Sequence, residues 1–578
     1  MDAEVEALLE RRFRAPSPAQ DLVRSLPEAI SSLVRPGDSV HLGVTHTRWS
    51  AGFWELLRRF GGTDPGFELL AVQFTTPSAP LIHAGLTRRL VTSWLGDSYM
   101  SPASNPVFQR FADGGGEIEH WSLLTFVQRL QAAARGHAWT TTTSLAGSSM
   151  ATDNAHAYRE LEPGLGLVSA LVPDVSILHA PAADRFGNVL LPPPLMENAY
   201  GALAARRGAV VTVERIVEPD YVREHAHLTR LPAGVARAVV EAPLGGHPGG
   251  LVPTGLRDLE GYADDFAFWL DLRAAARDPR AMDAWIGEWV TEPGSHTAYV
   301  ERLGAKRVAG LRRRVDPATW REDLEGSLPE DLEAETYSAV ELAMVVAGRT
   351  LAERIREEGH RVILAGAGMA NLAAWLAAFA LRDEGVPVDL AAEMGLVGYW
   401  PVPGEPLLFN PRNFPGCTML ADIDFTLGIL VGGGAARAIG ALGAAQIDSR
   451  GNVNSTLIPG ERLLMGSGGA NDVATCAAET LVVAAQTRER FVERVPYVTA
   501  PGGRVRRLVS QLGVYERDGD ELVLAAVPGE DVEAAVRTAR DACSWELRVA
   551  RDVRPIEPPT REELQTLRLM DPAGWFRR

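Results

Sequence analysis

The stretch Asp184-Arg-Phe-Gly187-Asn188-Val189 returns in altered form as Asp448-Ser-Arg-Gly451-Asn452-Val453. Each copy follows an apolar run, at 172–180 in the first case and at 439–447 in the second. In the shared pattern Asp-x-x-Gly-Asn, the Asp side chain can cap a turn, and Gly supplies a positive φ that Asn tolerates. Two such turns, each beside β-prone stretches, predict one domain design used twice, with a site between the halves.

Further segments support this duplication. Gly37-Asp-Ser-Val-His-Leu-Gly43 resembles Gly359-His-Arg-Val-Ile-Leu-Ala-Gly366. Short apolar runs also alternate with amphipathic helical patterns, which predicts an α/β fold with mostly parallel sheets. The strand candidates of the first half are 39–42, 67–72, 175–179, 209–212 and 238–241, and its helix candidates include 49–60 and 197–207.

The pattern changes between residues 264 and 332, where polar helices rich in Arg, Asp and Glu replace the alternation. A long helical pattern begins near Glu335, and a second α/β unit follows from Arg361. We therefore predict a first domain at 1–320 that includes a helical extension, a linker at 321–334, and a second domain at 335–578.

Composition and charge narrow the classes of function. The chain has 578 residues, more than one ordinary core holds, and a net charge of -17. Phosphate backbones require a basic surface, so this charge argues against a nucleic-acid partner. Lys306 is the single lysine, and no Gly-x-x-x-x-Gly-Lys-Ser/Thr motif occurs, which argues against Schiff-base chemistry and against a P-loop.

The three cysteines lie far apart and form no metal or redox motif, so we expect no metal site and no disulfide framework. The first residues are acidic and contain no apolar signal core. The longest smooth apolar run, 372–381, is short for a membrane span. We therefore expect a cytoplasmic protein that does not associate with membranes.

Two glycine-rich segments are candidates for ligand loops. Gly366-Ala-Gly368-Met-Ala-Asn371 has Asn371 where the dinucleotide fingerprint has its third glycine, so it indicates tight packing and no nucleotide redox cofactor. Gly466-Ser467-Gly468-Gly469-Ala470-Asn471 precedes a helical pattern at 474–485. Its accessible N–H groups can hold a pantetheine arm, a phosphate or an oxyanion, and a simple capped loop is the alternative interpretation.

Glu393 is the candidate for chemistry. It follows the strand-like run 386–390 and precedes Gly395 by two residues. The carboxyl end of a strand is where α/β folds place their active sites. From position alone, a solvated or salt-bridged residue is the alternative.

These motifs together resemble the family I CoA-transferases of the glutaconate type. The β subunit is matched by 445–456, by 466–471, and by Tyr497-Val-Thr-Ala-Pro-Gly502. The first half resembles the α subunit more loosely, through 37–43, 172–180 and the segment around Gly187. This resemblance implies two open α/β domains of the CoA-transferase type in tandem, a fused chain, and association into a homodimer or larger oligomer.

The resemblance also implies a mechanism. Glu393-Met-Gly395 matches the Glu-x-Gly motif that carries the family's catalytic carboxylate. Such a carboxylate attacks an acyl-CoA and passes through an anhydride to a glutamyl-CoA thioester, from which a carboxylic acid takes the CoA. CoA is thus substrate and product. The residues implied for the oxyanion and for CoA binding are Gly43, Gly395, Gly466, Ser467, Gly468, Gly469, Ala470 and Asn471.

Two departures from the family pattern keep alternatives open. The turn after the first strand reads Val44-Thr-His46 in place of a Gly-Gly-Phe-like turn, and 146–150 replaces Gly-Ser-Gly-Leu. A hydrolase that cleaves a thioester or a carbon–carbon bond of an acyl-CoA is one alternative, and a specialised acyltransferase or a non-catalytic acyl-CoA binder is another. The candidate substrate-pocket residues are Val44, His46, Ser148, Glu117 and Glu119, the last two because hydrolases of this superfamily carry their carboxylate in the α-type half.

Overall fold

A computed structural model describes residues 1–13, 20–44, 49–97, 99, 104–194, 197–434 and 437–577. The first half has the strands β1 (Ser39–Gly43), β2 (Phe67–Leu70), β3 (Gln73–Phe74), β4 (Thr87–Thr92), β5 (Trp94–Leu95), β6 (Glu117–His120), β7 (Trp139–Thr142), β8 (Tyr158–Glu162), β9 (Leu165–Ser169), β10 (Val175–Asp184), β11 (Val189–Leu190), β12 (Ala209–Val217), β13 (Thr229–Leu231) and β14 (Ala236–Glu241). Its helices are α1 (Ala3–Phe13), α2 (Leu26–Leu33), α3 (Ala51–Phe60), α4 (Ala79–His83), α5 (Pro106–Asp113), α6 (Leu123–Ala134), α7 (Ser149–Asp153), α8 (Asn198–Ala204) and α9 (Pro219–Glu224), followed by α10 (Phe266–Ala275), α11 (Pro279–Ile286), α12 (His296–Leu303), α13 (Ala305–Val315) and α14 (Trp320–Glu325).

The second half repeats this alternation. Its helices are α15 (Ala339–Glu358), α16 (Met369–Asp383), α17 (Ala470–Cys476), α18 (Val532–Asp541) and α19 (Arg561–Met570). Its strands are β15 (Val362–Ala365), β16 (Asp389–Ala392), β17 (Leu396–Val397), β18 (Met419–Leu420), β19 (Ala438–Gly443), β20 (Gln446–Ile447), β21 (Val453–Asn454), β22 (Leu457–Ile458), β23 (Arg462–Leu463), β24 (Glu479–Val483), β25 (Val505–Ser510), β26 (Gly513–Asp518), β27 (Glu521–Pro528) and β28 (Val549–Ile556). The α/β class predicted from the sequence is confirmed.

Each half is built on one large sheet, and the two sheets share their central strand order. The first sheet contains the parallel run β2-β1-β10-β12-β14, and the second contains the parallel run β16-β15-β19-β24-β25. In chain order both runs read 2-1-3-4-5, the order of the flavodoxin-like folds. Such sheets bind ligands at the switch point, outside the carboxyl ends of the first and third strands.

The repeated turn has the same geometry in both halves. Asp184 Oδ1 accepts hydrogen bonds from the backbone N–H groups of Phe186 and Asn188, both at 3.0 Å. Asp448 Oδ1 accepts from the backbone N–H groups two and four residues later, also at 3.0 Å. Gly187 and Gly451 have φ values of 90° and 79°, which explains why both turns need glycine. The duplicated phrase is therefore a duplicated structure.

The two halves share one core. The largest cluster of buried apolar side chains includes Leu42 and Trp54 from the first half and Leu364 and Trp375 from the second. Helices α10 to α13 lie before residue 320, whereas α14 falls mostly within the stretch 321–334 that the sequence analysis assigns to a linker, and α15 begins at Ala339. The boundaries at 320 and 335 remain a prediction.

One helix is shorter than the sequence indicates. The pattern at 474–485 predicts a helix, but α17 ends at Cys476 and strand β24 occupies Glu479–Val483. β24 lies between two parallel partners and is buried along its length, and a short apolar run cannot be assigned to strand or helix by periodicity alone. Within the described ranges, no helix combines the length and the apolar character that crossing a bilayer requires.

Gly451→Ala should destabilise the fold more than Gly460→Ala. Both glycines have positive φ, which costs an L-residue roughly 1–2 kcal/mol, but only at Gly451 would the new methyl press on a strand, 3.1 Å from Val505 Cβ. At Gly460 no atom lies within 4 Å of that position. We expect a lower thermal midpoint for Gly451→Ala than for the control, measured by circular dichroism. Equal midpoints would show that the turn is not a structural requirement.

Candidate active site

A tight turn at the end of β16 sets the position of Glu393. The strand begins at Asp389, later than the run 386–390 suggests, and ends at Ala392. Gly395 N–H donates to Ala392 O at 3.0 Å, and Gly395 O accepts from Ala421 N at 2.7 Å. Gly395 has a φ of 112°, and a Cβ there would overlap Ala421 O. The glycine of Glu-x-Gly is therefore required by a close approach of two backbone segments, and it does not itself line the cavity described next.

Glu393 lines a cavity of about 470 Å³ between the two halves. The cavity floor is formed by the carboxyl ends of β15, β16 and β19, which include the switch point of the second sheet. The first half closes the opposite side with Trp94, Tyr99 and Leu123. A cavity of this size between two halves fits the volume range of small-molecule sites.

Gly469 is the closest partner of the Glu393 carboxyl among the predicted loop residues. A Cβ on Gly469 would overlap Glu393 Oε2, so any side chain at this position would displace the carboxyl. The Gly469 N–H interacts with the carboxyl and lowers its pKa. The Gly469 N–H is thus positioned to donate a hydrogen bond to an oxygen of Glu393. It could equally donate to an oxygen of a group bonded to Glu393.

The electrostatic surroundings hold Glu393 near its titration point. Burial raises the pKa of Glu393, and the negative charge of Asp472 raises it further, to about 7, against the lowering by the Gly469 amide. Burial is the main cause, because the surrounding apolar walls disfavour the charged form. Near neutral pH the carboxyl therefore exists in both forms.

Asp472 is a second carboxyl beside Glu393. It is completely buried, and its Oδ2 accepts a hydrogen bond at 3.0 Å from Leu124 N in the first turn of α6. Burial raises the pKa of Asp472 to about 6, while the hydroxyls of Ser122 and Ser144 lower it. An anion at the N-terminus of a helix of this length is stabilised by the free N–H groups there. Asp472 thus joins the glycine-rich loop to the first half.

The other residues of the glycine-rich loop divide into two groups. Ser467, Gly468 and Ala470 line the cavity with Gly469. Gly466 instead packs against the Ser93 carbonyl, where a Cβ would not fit. The side chain of Asn471 is buried between the halves. Its Oδ1 accepts from Leu145 N and its Nδ2 donates to Thr499 O, both at 2.9 Å.

The described site residues that were predicted in the first half lie outside the lining of the Glu393 cavity. Gly43 ends β1 against Leu178 and Asn198, Val44 is buried beside it, and neither belongs to the described lining of the cavity. Ser148 caps α7 by accepting from Ala151 N at 3.3 Å. His46 lies outside the described residues.

Glu117 and Glu119 belong to an ion-pair network on β6. Glu119 pairs with Arg89 and with Arg129, the latter at 3.1 Å, and it accepts from Trp121 Nε1 at 2.5 Å. Burial by itself raises the pKa of Glu119. The charges of Arg129 and Arg89 and the hydrogen bonds from Trp121 and Arg89 outweigh burial and lower the pKa below its ordinary value. Glu117 is exposed at the strand edge. Neither carboxyl lines the described cavity.

Sequence reasoning missed several residues of the cavity. Asp472 stands three positions after Gly469, so its carboxyl could have been noticed from spacing alone. Trp94, Trp575 and Phe576 line the cavity from distant parts of the chain and carry no motif. Within the described ranges, no group of three His, Cys, Asp or Glu side chains could hold a metal ion.

Comparison with known proteins agrees with this geometry. The family model described as coenzyme A transferase matches residues 23–242. The chain is 31% identical to one of the subunits of the 3-oxoadipate CoA-transferase of Pseudomonas knackmussii, over 46% of this chain and 92% of that subunit. It is 45% identical to one of the subunits of the glutaconate CoA-transferase of Acidaminococcus fermentans over 71 residues, which are 11% of this chain and 26% of that subunit.

A solved structure extends the fold match to almost the whole chain. The acyl-CoA transferase YdiF of Escherichia coli O157:H7 superposes with a TM-score of 0.64 at 15% identity, over 94% of this chain and 97% of that one. The fold, together with the family match and the curated relatives, defines an α/β enzyme of the CoA-transferase type. The chain belongs to the coenzyme A transferase family, and it has relatives among both kinds of subunit that form such enzymes.

Asp472→Asn should lower the pKa of Glu393, because it removes the negative charge that disfavours a second carboxylate nearby. The protonated carboxyl of Glu393 can be followed against pH by infrared difference spectroscopy, with Glu393→Gln as the subtraction. We expect a midpoint near 7 in the wild type and a lower midpoint in the variant. Asp520→Asn, at an exposed residue, is the control. An unchanged midpoint in Asp472→Asn would contradict the coupling.

Proposed function

We propose that this enzyme moves CoA from an acyl-CoA to a carboxylic acid, with Glu393 as the nucleophile. The observation that carries the proposal is the Glu393 carboxyl, which lines the cavity between the halves and interacts with the Gly469 amide. A carboxyl with a pKa near 7 is present in part as the anion at neutral pH, and the apolar walls leave that anion poorly solvated. Both properties favour nucleophilic attack.

The first steps follow from the position of the two groups. A Glu393 carboxylate oxygen attacks the thioester carbonyl, and the Gly469 N–H stabilises the oxyanion. Collapse breaks the carbon–sulfur bond and gives a mixed anhydride and the CoA thiolate. The thiolate then attacks the Glu393 carbonyl, releases the first acid as a carboxylate, and leaves a glutamyl-CoA thioester.

The second half of the reaction reverses these steps with another acid. The incoming carboxylate attacks the Glu393 thioester carbonyl, and the thiolate that leaves attacks the new acyl group of the anhydride. Glu393 is restored as a carboxylate, and CoA has changed its acyl partner. No net hydrolysis occurs, so the thioester free energy is kept, provided that water is excluded from the cavity.

Loss of the nucleophile should stop turnover without loss of binding. Glu393→Gln keeps the shape of the side chain but cannot form the anhydride, so kcat should fall by several orders of magnitude while CoA still binds. With acyl-CoA and no acceptor, the wild type should accumulate a CoA adduct at Glu393, which borohydride reduces and mass spectrometry locates. Glu461→Gln, at an exposed residue, should behave as the wild type.

The same experiment separates transferase from hydrolase. A hydrolase releases free CoA from acyl-CoA without an acceptor acid, whereas a transferase requires the acid for turnover. Full activity in Glu393→Gln together with its loss in Glu117→Gln would replace this proposal with a hydrolase that uses the first half.

We also propose that the chain forms a homodimer or larger oligomer, as the resemblance to multi-subunit relatives suggests. Light scattering at micromolar concentration should then give at least twice the mass of the 62.3 kDa chain. The mass of a single chain under these conditions would refute the oligomer.

A further inference from the structure

Segment 571–577, termed the aromatic strap, forms one wall of the Glu393 cavity. Its residues Trp575 and Phe576 line the cavity together with Val340 at the start of α15. Phe576 is almost completely buried and packs close to Gly368, beyond the end of β15. β15 pairs directly with β16, the strand that precedes Glu393, so this wall and Glu393 lie beyond the ends of neighbouring strands.

The aromatic strap is held in place by polar contacts at both of its ends. The Asp571 carboxylate accepts from the backbone N–H groups of Trp575 and Phe576, both at 2.8 Å. The Arg577 guanidinium pairs with both carboxylate oxygens of Asp331, at 2.6 and 3.0 Å. The Arg577 side chain is buried and Asp331 is partly exposed, and a bidentate pair of this kind fixes orientation as well as distance.

An aromatic contact with the first half completes the support. The Trp575 ring meets the Phe266 ring edge to face, with centroids 5.5 Å apart. Ser338 Oγ, in the N-cap residue of α15, donates to Arg577 O at 3.2 Å. The wall is thus pre-organised, as a surface that selects among ligands requires.

The charges along the cavity are unevenly placed. Among the described lining residues, Arg490 is the one cation, and it is exposed beyond the end of β24, three strands across the sheet from β16. Apolar members of the described lining include Met369, Met394, Leu408 and Phe409. A second negative group bound beside the Glu393 carboxylate among such side chains would be costly.

We propose that the aromatic strap selects apolar monocarboxylic acyl groups, whose tails pack on Trp575 and Phe576. This inference rests on the proposed attack by Glu393, because that attack fixes the thioester carbonyl beside β16. The strap lies beyond the neighbouring strand β15, within reach of the acyl tail. A second carboxylate at the end of the tail is disfavoured.

The test uses the full chain and a series of acyl-CoAs with identical CoA parts. Acetyl-, butyryl-, hexanoyl- and glutaryl-CoA are compared by kcat/KM for CoA transfer to acetate labelled with carbon-13. Each methylene buried on the strap should raise kcat/KM by up to about fourfold. We expect hexanoyl-CoA to exceed acetyl-CoA at least tenfold, and glutaryl-CoA to fall at least tenfold below hexanoyl-CoA.

Variants of the strap should remove the preference and nothing else. Trp575→Ala and Phe576→Ala should lower kcat/KM for hexanoyl-CoA about tenfold or more, change that for acetyl-CoA less than threefold, and leave the Kd of CoA itself unchanged. Trp575→Phe should restore most of the preference. Trp400→Ala, which removes an exposed tryptophan outside the described lining, is the matched control.

Each result has a definite meaning. If the variants lower kcat/KM equally for all acyl-CoAs and also weaken CoA binding, the strap contacts the CoA arm, and the inference is overturned. A wild-type preference for glutaryl-CoA would also overturn it, while the CoA adduct on Glu393 would still support the transferase. If no acyl-CoA gives an adduct, the proposed function and this inference fail together.

Discussion

The hydrogen bond from Leu124 N to Asp472 is the contact on which the site depends most. It is buried, it joins the first turn of α6 to the loop that ends at Gly469, and it places a negative charge beside Glu393. Displacement of Asp472 would alter the contact between the halves, the path of the loop and the ionisation of Glu393 together. One carboxylate thus couples the assembly of the cavity to its electrostatics.

The duplicated architecture explains why the site lies where it does. Both sheets have the order 2-1-3-4-5, so each has a switch point at the carboxyl ends of its strands. The second half uses this point for Glu393. In the first half, the described residues near the end of β1 include the buried Glu197, whose pKa burial raises to about 8. The second half therefore provides the buried carboxyl of Glu393, and the first half provides the opposing wall.

Local signals predicted much of this structure. The Asp-x-x-Gly-Asn turns, the Glu-x-Gly turn and the alternation of elements all reflect backbone geometry within a few residues. The structure shows the two Asp-x-x-Gly-Asn turns, at Asp184 and Asp448, as expected. The helix expected at 474–485 was wrong because pairing with two strands decides the conformation of β24. Trp94 and Trp575 could not be predicted, since their proximity depends on packing between segments far apart in sequence.

The helices α10 to α14 connect the two sheets covalently, and this has a consequence for the contacts between the halves. Hydrogen bonds such as Leu145 N to Asn471 Oδ1 form here within one molecule, so their occupancy does not depend on protein concentration. Separate subunits must instead meet by diffusion and lose translational freedom on meeting. The tether supplies a high effective concentration, and it fixes the stoichiometry of the halves at one to one under any dilution.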